Sequence, residues 1–247
     1  MRAFIRGAPA WQPGSAWAWY WAAPVTLLIF LLAQGAGVGL VVLGSPSSWT
    51  SSIGEILNQI DPLDMRILLA SQIATIVLAV LAAYLFGSNP TRQLRLTKPE
   101  GGMRTYLLAV VVMVPILVTL NAIIWTVSPQ DALRDFLLFK DMAKRADWLV
   151  PALAICLGAP LSEELLFRGF LLTPLASSRL GYWPAAAIVA LLWTLLHLSY
   201  STVGLIEVFT IGIFLSWTLR RTGSLRVPIF CHALYNTFLF LLLRWMP

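Results

Sequence analysis

The sequence has very little charge for its length. Of its 247 residues, 11% are charged and 59% are hydrophobic, whereas an average soluble domain has roughly 25% charged and about 45–50% apolar residues. So few charges cannot cover a globule of this size with a solvated surface. The composition therefore excludes a soluble enzyme, a disordered regulator and a disulfide-stapled secreted module, and it predicts an integral membrane protein.

Cysteine is also scarce, and the basic residues form no binding patch. Cys156 and Cys231 both fall in apolar segments without a CxxC pair, so we expect small buried hydrophobes rather than zinc or redox ligands. The net charge of +6 comes mostly from basic residues between apolar runs, where positive charge sets membrane orientation. No basic patch is interleaved with aromatics, so we expect membrane lipid and no nucleic acid as a partner.

Long apolar runs make up most of the chain. A helix needs about 20 mostly apolar residues to cross the hydrocarbon core. Seven runs are candidates: residues 15–43, 67–86, 106–127, 147–175, 183–198, 203–219 and 227–245. Gly158 and Pro160 interrupt the fourth run, so an eighth segment is an alternative. Gly35 and Gly39 predict a small-residue packing face in the first run. We predict an all-α, polytopic transmembrane helix bundle of seven or eight membrane segments.

This bundle is expected to form a single integral membrane domain over residues 1–247, with the motif-bearing helices in 147–245. If there are seven spans, the basic residues of the loops alternate between two sides. One side has ten, namely Arg2, Arg6, Arg92, Arg95, Lys98, Arg104, Arg179, Arg220, Arg221 and Arg226. The other has six, namely Arg66, Arg134, Lys140, Lys144, Arg145 and Arg244. The positive-inside rule then predicts a cytoplasmic N-terminus and an outside C-terminus, in a bacterial plasma (inner) membrane.

Residues 129–147 have a different pattern from the spans. Leu133, Phe136 and Leu137 recur at near-helical spacing with charges between them. This pattern is typical of a helix lying along the membrane interface. A lid that gates the substrate is the functional alternative.

Ionisable residues inside apolar spans cost about 2.5–3.5 kcal/mol each on insertion and usually mark function. This chain has six of them: Glu163, Glu164, Arg168, His197, Glu207 and His232. The two histidines are the only ones in the protein, and both lie in apolar segments. Their placement makes these spans the candidate site.

Glu164 and Arg168 are four residues apart, so they share a helix face and can form an ion pair. Glu163 lies about 100° around the helix without that partner, which suits a general base. We expect Pro160 to restart the helix just before it, with the helix dipole favouring a carboxylate. The alternative is that all three charges only hold helices together.

His232 and Asn236 are also four residues apart, on one face of the last span. Together they could donate two hydrogen bonds to a developing oxyanion, or they could form an interhelical hydrogen-bond pair. His197, taken alone, is either a hydrogen-bonded core residue or a functional one. Counting the helical rise allows these groups to share a layer between the cytoplasmic half of the bilayer and its midplane.

Three motifs in this order resemble those of the CPBP intramembrane protease family, which groups type II CAAX prenyl endopeptidases with bacteriocin-processing and immunity proteins. They are Glu163-Glu164-x-x-x-Arg168, an aromatic-x-x-x-His ending at His197, and His232-x-x-x-Asn236. They lie within residues 163–236, and the preceding half of the chain adds only a hydrophobic pattern. The second motif usually begins with Phe, whereas this chain has Trp193, a change expected to alter packing more than chemistry.

The resemblance implies an endopeptidase, and the count of helical rise leads us to expect cleavage near the cytoplasmic membrane face. Glu163 and His197 would activate water, His232 and Asn236 would stabilise the oxyanion, and Glu164 with Arg168 would support them. Family members are often labelled metalloproteases, so Glu163, His197 and His232 are the zinc ligands if zinc is used. No His-Glu-x-x-His helix demands a metal, and water activation without a cofactor is favoured.

Two other functions are compatible with the same sequence. A proton-coupled transporter would use Glu207 with the other buried carboxylates and histidines. A non-catalytic immunity or scaffold protein would keep only the fold. For a protease, the substrate is a peptide or a lipidated protein, and the sequence predicts neither its identity nor the oligomeric state.

Overall fold

The computed structural model describes residues 4, 7, 9–44, 64–144 and 147–245, and within these ranges all regular structure is helical. The main helices are α1 (Trp19–Leu43), α2 (Met65–Gly87), α3 (Pro90–Gln93), α4 (Met103–Val127), α5 (Pro129–Ala143), α6 (Leu149–Ser177), α7 (Tyr182–His197), α8 (Thr202–Thr222) and α9 (Arg226–Trp245). Six of them are long and apolar enough to cross a membrane, and α7 is a shorter apolar helix. The predicted polytopic helix bundle is therefore confirmed.

Several helix ends are set by polar side chains and glycine. Asp64 accepts a hydrogen bond from the backbone N–H of Arg66 at the start of α2, and Ser201 accepts one from Gly204 at the start of α8. Gly223 ends α8 with a φ of 64°, a left-handed conformation that glycine adopts without a Cβ clash. These caps place the chain reversals outside the apolar runs.

The predicted interruption of the fourth span is wrong. Helix α6 runs without a break from Leu149 to Ser177, and the turns at Ala154–Gly158 and Glu164–Leu172 widen to π-helix. Pro160 does not restart the helix, because Gly158 and its neighbours keep helical dihedrals. Glu163 is therefore in the middle of a helix rather than near an N-terminus, and no eighth segment arises from this span in the described residues.

Helices α1 and α2 pack closely through a small residue, as membrane helices commonly do. A Cβ built on Gly37 would lie 2.0 Å from Oγ of Ser71, so only glycine fits there. By contrast, no described atom comes within 4 Å of a Cβ built on Gly35 or Gly39. The packing face predicted at Gly35 and Gly39 is thus wrong, and Gly37 provides it.

The basic loops meet at one end of the bundle, which we call the basic end and define as residues 88–104, 178–181 and 220–226. Arg226 donates to the carbonyl of Leu96 at 2.5 Å, and Arg95 donates to the carbonyl of Gln12 at 2.6 Å. Gly14 donates to Oγ of Ser177, next to the Arg179 turn. Basic loops gathered at one end are what a chain that crosses the membrane seven times requires. Arg2 and Arg6 lie outside the described residues.

Helix α5 lies at the other end of the bundle, which we call the opposite end. Asp135 on α5 accepts hydrogen bonds from the backbone N–H of Ser201 at 2.9 Å and from its hydroxyl at 2.6 Å. Arg134 donates to the carbonyl of Ser199 at 3.2 Å. The segment predicted to lie along the interface is therefore a helix that is hydrogen-bonded to the start of α8. Its function as a lid stays a prediction.

Candidate active site

A buried ion pair on α6 positions one of the histidines of the site. Glu164 and Arg168 on α6 are both 0% exposed, and Nη1 of Arg168 lies 3.0 Å from Oε1 of Glu164. Nδ1 of His232 on α9 lies 3.0 Å from the same oxygen. Because an ionised carboxylate only accepts, Nδ1 of His232 carries a proton and donates it to this bond. The pair thus fixes the orientation of the His232 ring and leaves its Nε2 available.

Glu163 is half-buried and bonds a different helix. Its Oε2 accepts a hydrogen bond of 2.5 Å from the indole N–H of Trp193 on α7. No described residue donates to the second oxygen, Oε1. The Glu163 carboxylate is therefore held on one oxygen and free to bind a water or a substrate proton on the other.

His197 occupies the last turn of α7. Its Nδ1 lies 3.1 Å from the backbone carbonyl of Trp193. Because a carbonyl oxygen has no proton to give, Nδ1 carries the hydrogen and the lone pair is on Nε2. The neutral ring can then accept a proton or a hydrogen bond at Nε2.

Trp193 contacts four of the six candidate residues, including Glu163. Its ring packs edge-on against His197 and His232, with centroid distances of 5.1 Å and 5.6 Å. The guanidinium carbon of Arg168 lies 4.4 Å from the ring centroid, within cation–π range. The expectation that Trp193 differs from Phe mainly in packing is incomplete, because the indole N–H bonds to Glu163 and a phenyl ring has no such donor.

Asn236 is held in place by an irregularity of α6. In the widened turn, the N–H of Ala159 bonds to the carbonyl of Ala154, and the next residue, Pro160, has no N–H. The carbonyl of Ile155 consequently lacks a partner within the helix and accepts from Nδ2 of Asn236 at 2.9 Å. One amide hydrogen of Asn236 is used for this bond, and the other remains for a ligand.

A cavity of about 640 Å³ collects the candidate catalytic residues. Glu163, His197, His232 and Asn236 all line it, whereas Glu164 and Arg168 do not. Most of its wall is apolar, and further polar residues, Glu207 among them, also line it. The structure therefore separates residues that can touch a substrate from those that only position them.

Two further residues of the cavity wall, Glu207 and Tyr200, were not among the predicted catalytic or supporting residues. Glu207 on α8 accepts hydrogen bonds from Asn121 at 3.0 Å and from Tyr235 at 3.1 Å. Tyr200, between α7 and α8, packs its ring 5.6 Å from His197, and burial raises the pKa of its phenol, which therefore stays protonated. Glu207 was recognisable as a charge within an apolar run, but no sequence signal joined it to Asn121.

The proposed zinc ligands do not form a metal site in the part of the chain that the structure describes. No group of three His, Cys, Asp or Glu side chains there is arranged to hold a metal ion. The described side chains of this site therefore do not fit a bound zinc ion.

Residues 145–238 match the family described as type II CAAX prenyl endopeptidase Rce1-like. The family resemblance is confirmed. The matched region contains all six site residues. The chain is also similar to a curated relative, an uncharacterized 24.3 kDa protein of Escherichia coli. That similarity is 35% identity over 88 residues, covering 35% of this chain and 41% of the relative. The chain thus matches less than half of the relative's length, and no solved structure matches it.

Proposed function

We propose that the protein is an intramembrane endopeptidase that hydrolyses a peptide bond with water activated by Glu163 and His197. The observation that carries the proposal is the cavity, which four polar residues from three helices line together within an otherwise apolar bundle. The match to the Rce1-like protease family supports peptide hydrolysis as the reaction class.

The first chemical step uses the free atoms described above. A water in the cavity would hydrogen-bond Oε1 of Glu163 and Nε2 of His197. As its oxygen attacks the peptide carbonyl, one water proton passes to Glu163 and the carbonyl becomes a tetrahedral oxyanion. Collapse of this intermediate breaks the C–N bond, and the proton returns from Glu163 to the leaving amine.

The oxyanion would be stabilised by Asn236 and His232. Asn236 donates through its second amide hydrogen, and its bond to Ile155 keeps the amide fixed. His232 already donates from Nδ1 to Glu164, so it donates from Nε2 only as an imidazolium. The Glu164 carboxylate places a negative charge beside this imidazolium, which links the buried ion pair to catalysis.

Purified protein and a cleavable peptide substrate test the proposal. Alanine at Glu163 or at His232 should abolish cleavage, because the first removes the base and the second removes the oxyanion donor. Glu100→Ala is the matched control, since Glu100 is an exposed carboxylate at the basic end. Full activity in both site variants would contradict the proposal.

A proton-coupled transporter is the second candidate, favoured by the Glu207 cluster in the same cavity. Its hydrogen bonds to Asn121 and Tyr235 could form part of a proton path. Flux driven by a pH gradient in liposomes, lost in Glu207→Gln, would support transport. Cleavage that persists in Glu207→Gln without any such flux would support the protease.

We also propose that the protein lies in a bacterial plasma membrane with its N-terminus in the cytoplasm. The support is the excess of Lys and Arg at the basic end, since such an excess marks the cytoplasmic side. A peptide or a lipidated protein would be the substrate.

A further inference from the structure

The cavity extends toward only one end of the bundle. Its wall includes Asp64 just before α2, Asp135 on α5, Ser199 and Tyr200 before α8, and Leu243 near the end of α9. All of these residues belong to the opposite end. None of the residues that line the cavity lies in the basic end as defined above.

The catalytic residues are at the inner limit of this cavity. Glu163 is the central residue of α6, a helix of 29 residues. At about 1.5 Å per residue, it is roughly 21 Å along the helix from either end. The cavity thus spans about half the depth of the bundle, from its middle to the opposite end.

A tightly packed layer closes the other half. Four leucines here are each 0% exposed: Leu172 and Leu219 lie between the catalytic residues and the basic end, and Leu94 and Leu225 lie within the basic end. A Cβ built on Gly169 would come within 3.1 Å of Leu225 and 3.2 Å of Leu94, so even a methyl group has little space here. A peptide cannot reach Glu163 through this layer without unpacking it.

The charges identify which end faces the cytoplasm. The basic end and the N-terminal segment together have ten Lys and Arg residues and the opposite end has six, so the positive-inside rule makes the basic end cytoplasmic. Lys and Arg are absent from the described residues that line the cavity, which include four carboxylates: Asp64, Asp135, Glu163 and Glu207. The lining of the cavity therefore extends to the side with fewer basic residues.

We propose that the substrate enters from outside the cytoplasm, and that it is an exported peptide or an extracytoplasmic segment of a membrane protein. This proposal differs from the expectation of cleavage near the cytoplasmic face, because the lining of the cavity extends to the opposite end, which the positive-inside rule places outside. The identity of the substrate rests on the proposed protease function, whereas the route of access does not.

Cysteine labelling in intact cells tests the route. The two native cysteines are first removed by Cys156→Ala and Cys231→Ala. In this background, labelling of Ser199→Cys measures access to the cavity wall at the opposite end, and labelling of Asn121→Cys measures access to its interior. Thr97→Cys is the matched control, because Thr97 is an exposed hydroxyl residue at the basic end. The reagent is a membrane-impermeant sulfonated maleimide, applied before and after permeabilisation of the inner membrane.

We expect cysteines at positions 199 and 121 to react before permeabilisation and the cysteine at position 97 to react only afterwards. The reverse pattern, or a position 199 that reacts only after permeabilisation, would overturn the proposal. The parent without the introduced cysteines measures background labelling. Because labelling needs no cleavage, the side from which the cavity is reached is measured even if the protein proves not to be a protease.

Discussion

Replacing Trp193 by phenylalanine isolates a single hydrogen bond at the centre of the site. The phenyl ring can still lie over Arg168 and against both histidines, but it cannot donate to Glu163. Trp193 is 3% exposed and its N–H lies 2.5 Å from Oε2 of Glu163, so water does not readily replace the lost donor. The Glu163 carboxylate would then be free to rotate away from the water it activates.

The size of the effect follows from the charge on Glu163. A hydrogen bond to a charged group contributes about 1.5–3 kcal/mol. Each 1.36 kcal/mol lost from transition-state stabilisation is a tenfold change in rate, so we expect kcat to fall roughly 10- to 150-fold. KM should change little, because Trp193 acts on the position of Glu163 rather than on the substrate.

Steady-state cleavage by the purified variant measures this effect, with Trp183→Phe as control. Trp183 lies on the same helix, is 41% exposed and has Arg220 over its ring at 5.0 Å, but its N–H has no partner among the described residues. The control should keep near-normal kcat. Equal losses in the two variants, or an unchanged kcat in Trp193→Phe, would refute a positioning role for the indole N–H.

Three further predictions concern stability and metals. Arg168→Met removes the guanidinium beside the buried Glu164 charge, which then keeps only its hydrogen bond from His232. It should therefore destabilise the fold by about 3–5 kcal/mol in thermal unfolding, and Arg220→Met should cost much less. Asp135→Asn weakens the bonds to Ser201 and should increase proteolysis of α5; unchanged protection would show that α5 is held by packing alone. Chelation, followed by metal analysis, should leave cleavage intact, because the described side chains form no ligand set; loss of activity restored by zinc would contradict this.

The helical architecture could be predicted from the sequence, because a long apolar run in a membrane must satisfy its backbone hydrogen bonds internally, as a helix does. It was also sufficient for the list of candidate residues, since a buried charge is costly and therefore rare. The predicted break at Gly158 and Pro160 was wrong because a helix can continue through a proline when a turn widens to π-helix. Asn236 fills the resulting gap from another helix, and such compensation cannot be inferred from local sequence.

The link between Trp193 and Glu163 was missed for a similar reason. The two residues are 30 positions apart, and their hydrogen bond depends on how α7 packs against α6. Gly212 on α8 helps to set this packing, since a Cβ there would lie 3.1 Å from the indole ring. Periodicity identifies which face of a helix is apolar, but it does not identify which polar atom meets another across an interface.

The most direct test of the account compares two carboxylates of the same cavity. Glu163→Gln and Glu207→Gln each remove one negative charge with almost no change in shape, and both can be assayed with one purified preparation and one peptide. We expect Glu163→Gln to abolish cleavage and Glu207→Gln to retain most of the cleavage activity. Cleavage that survives in Glu163→Gln and disappears in Glu207→Gln would contradict the assignment of Glu163 as the base.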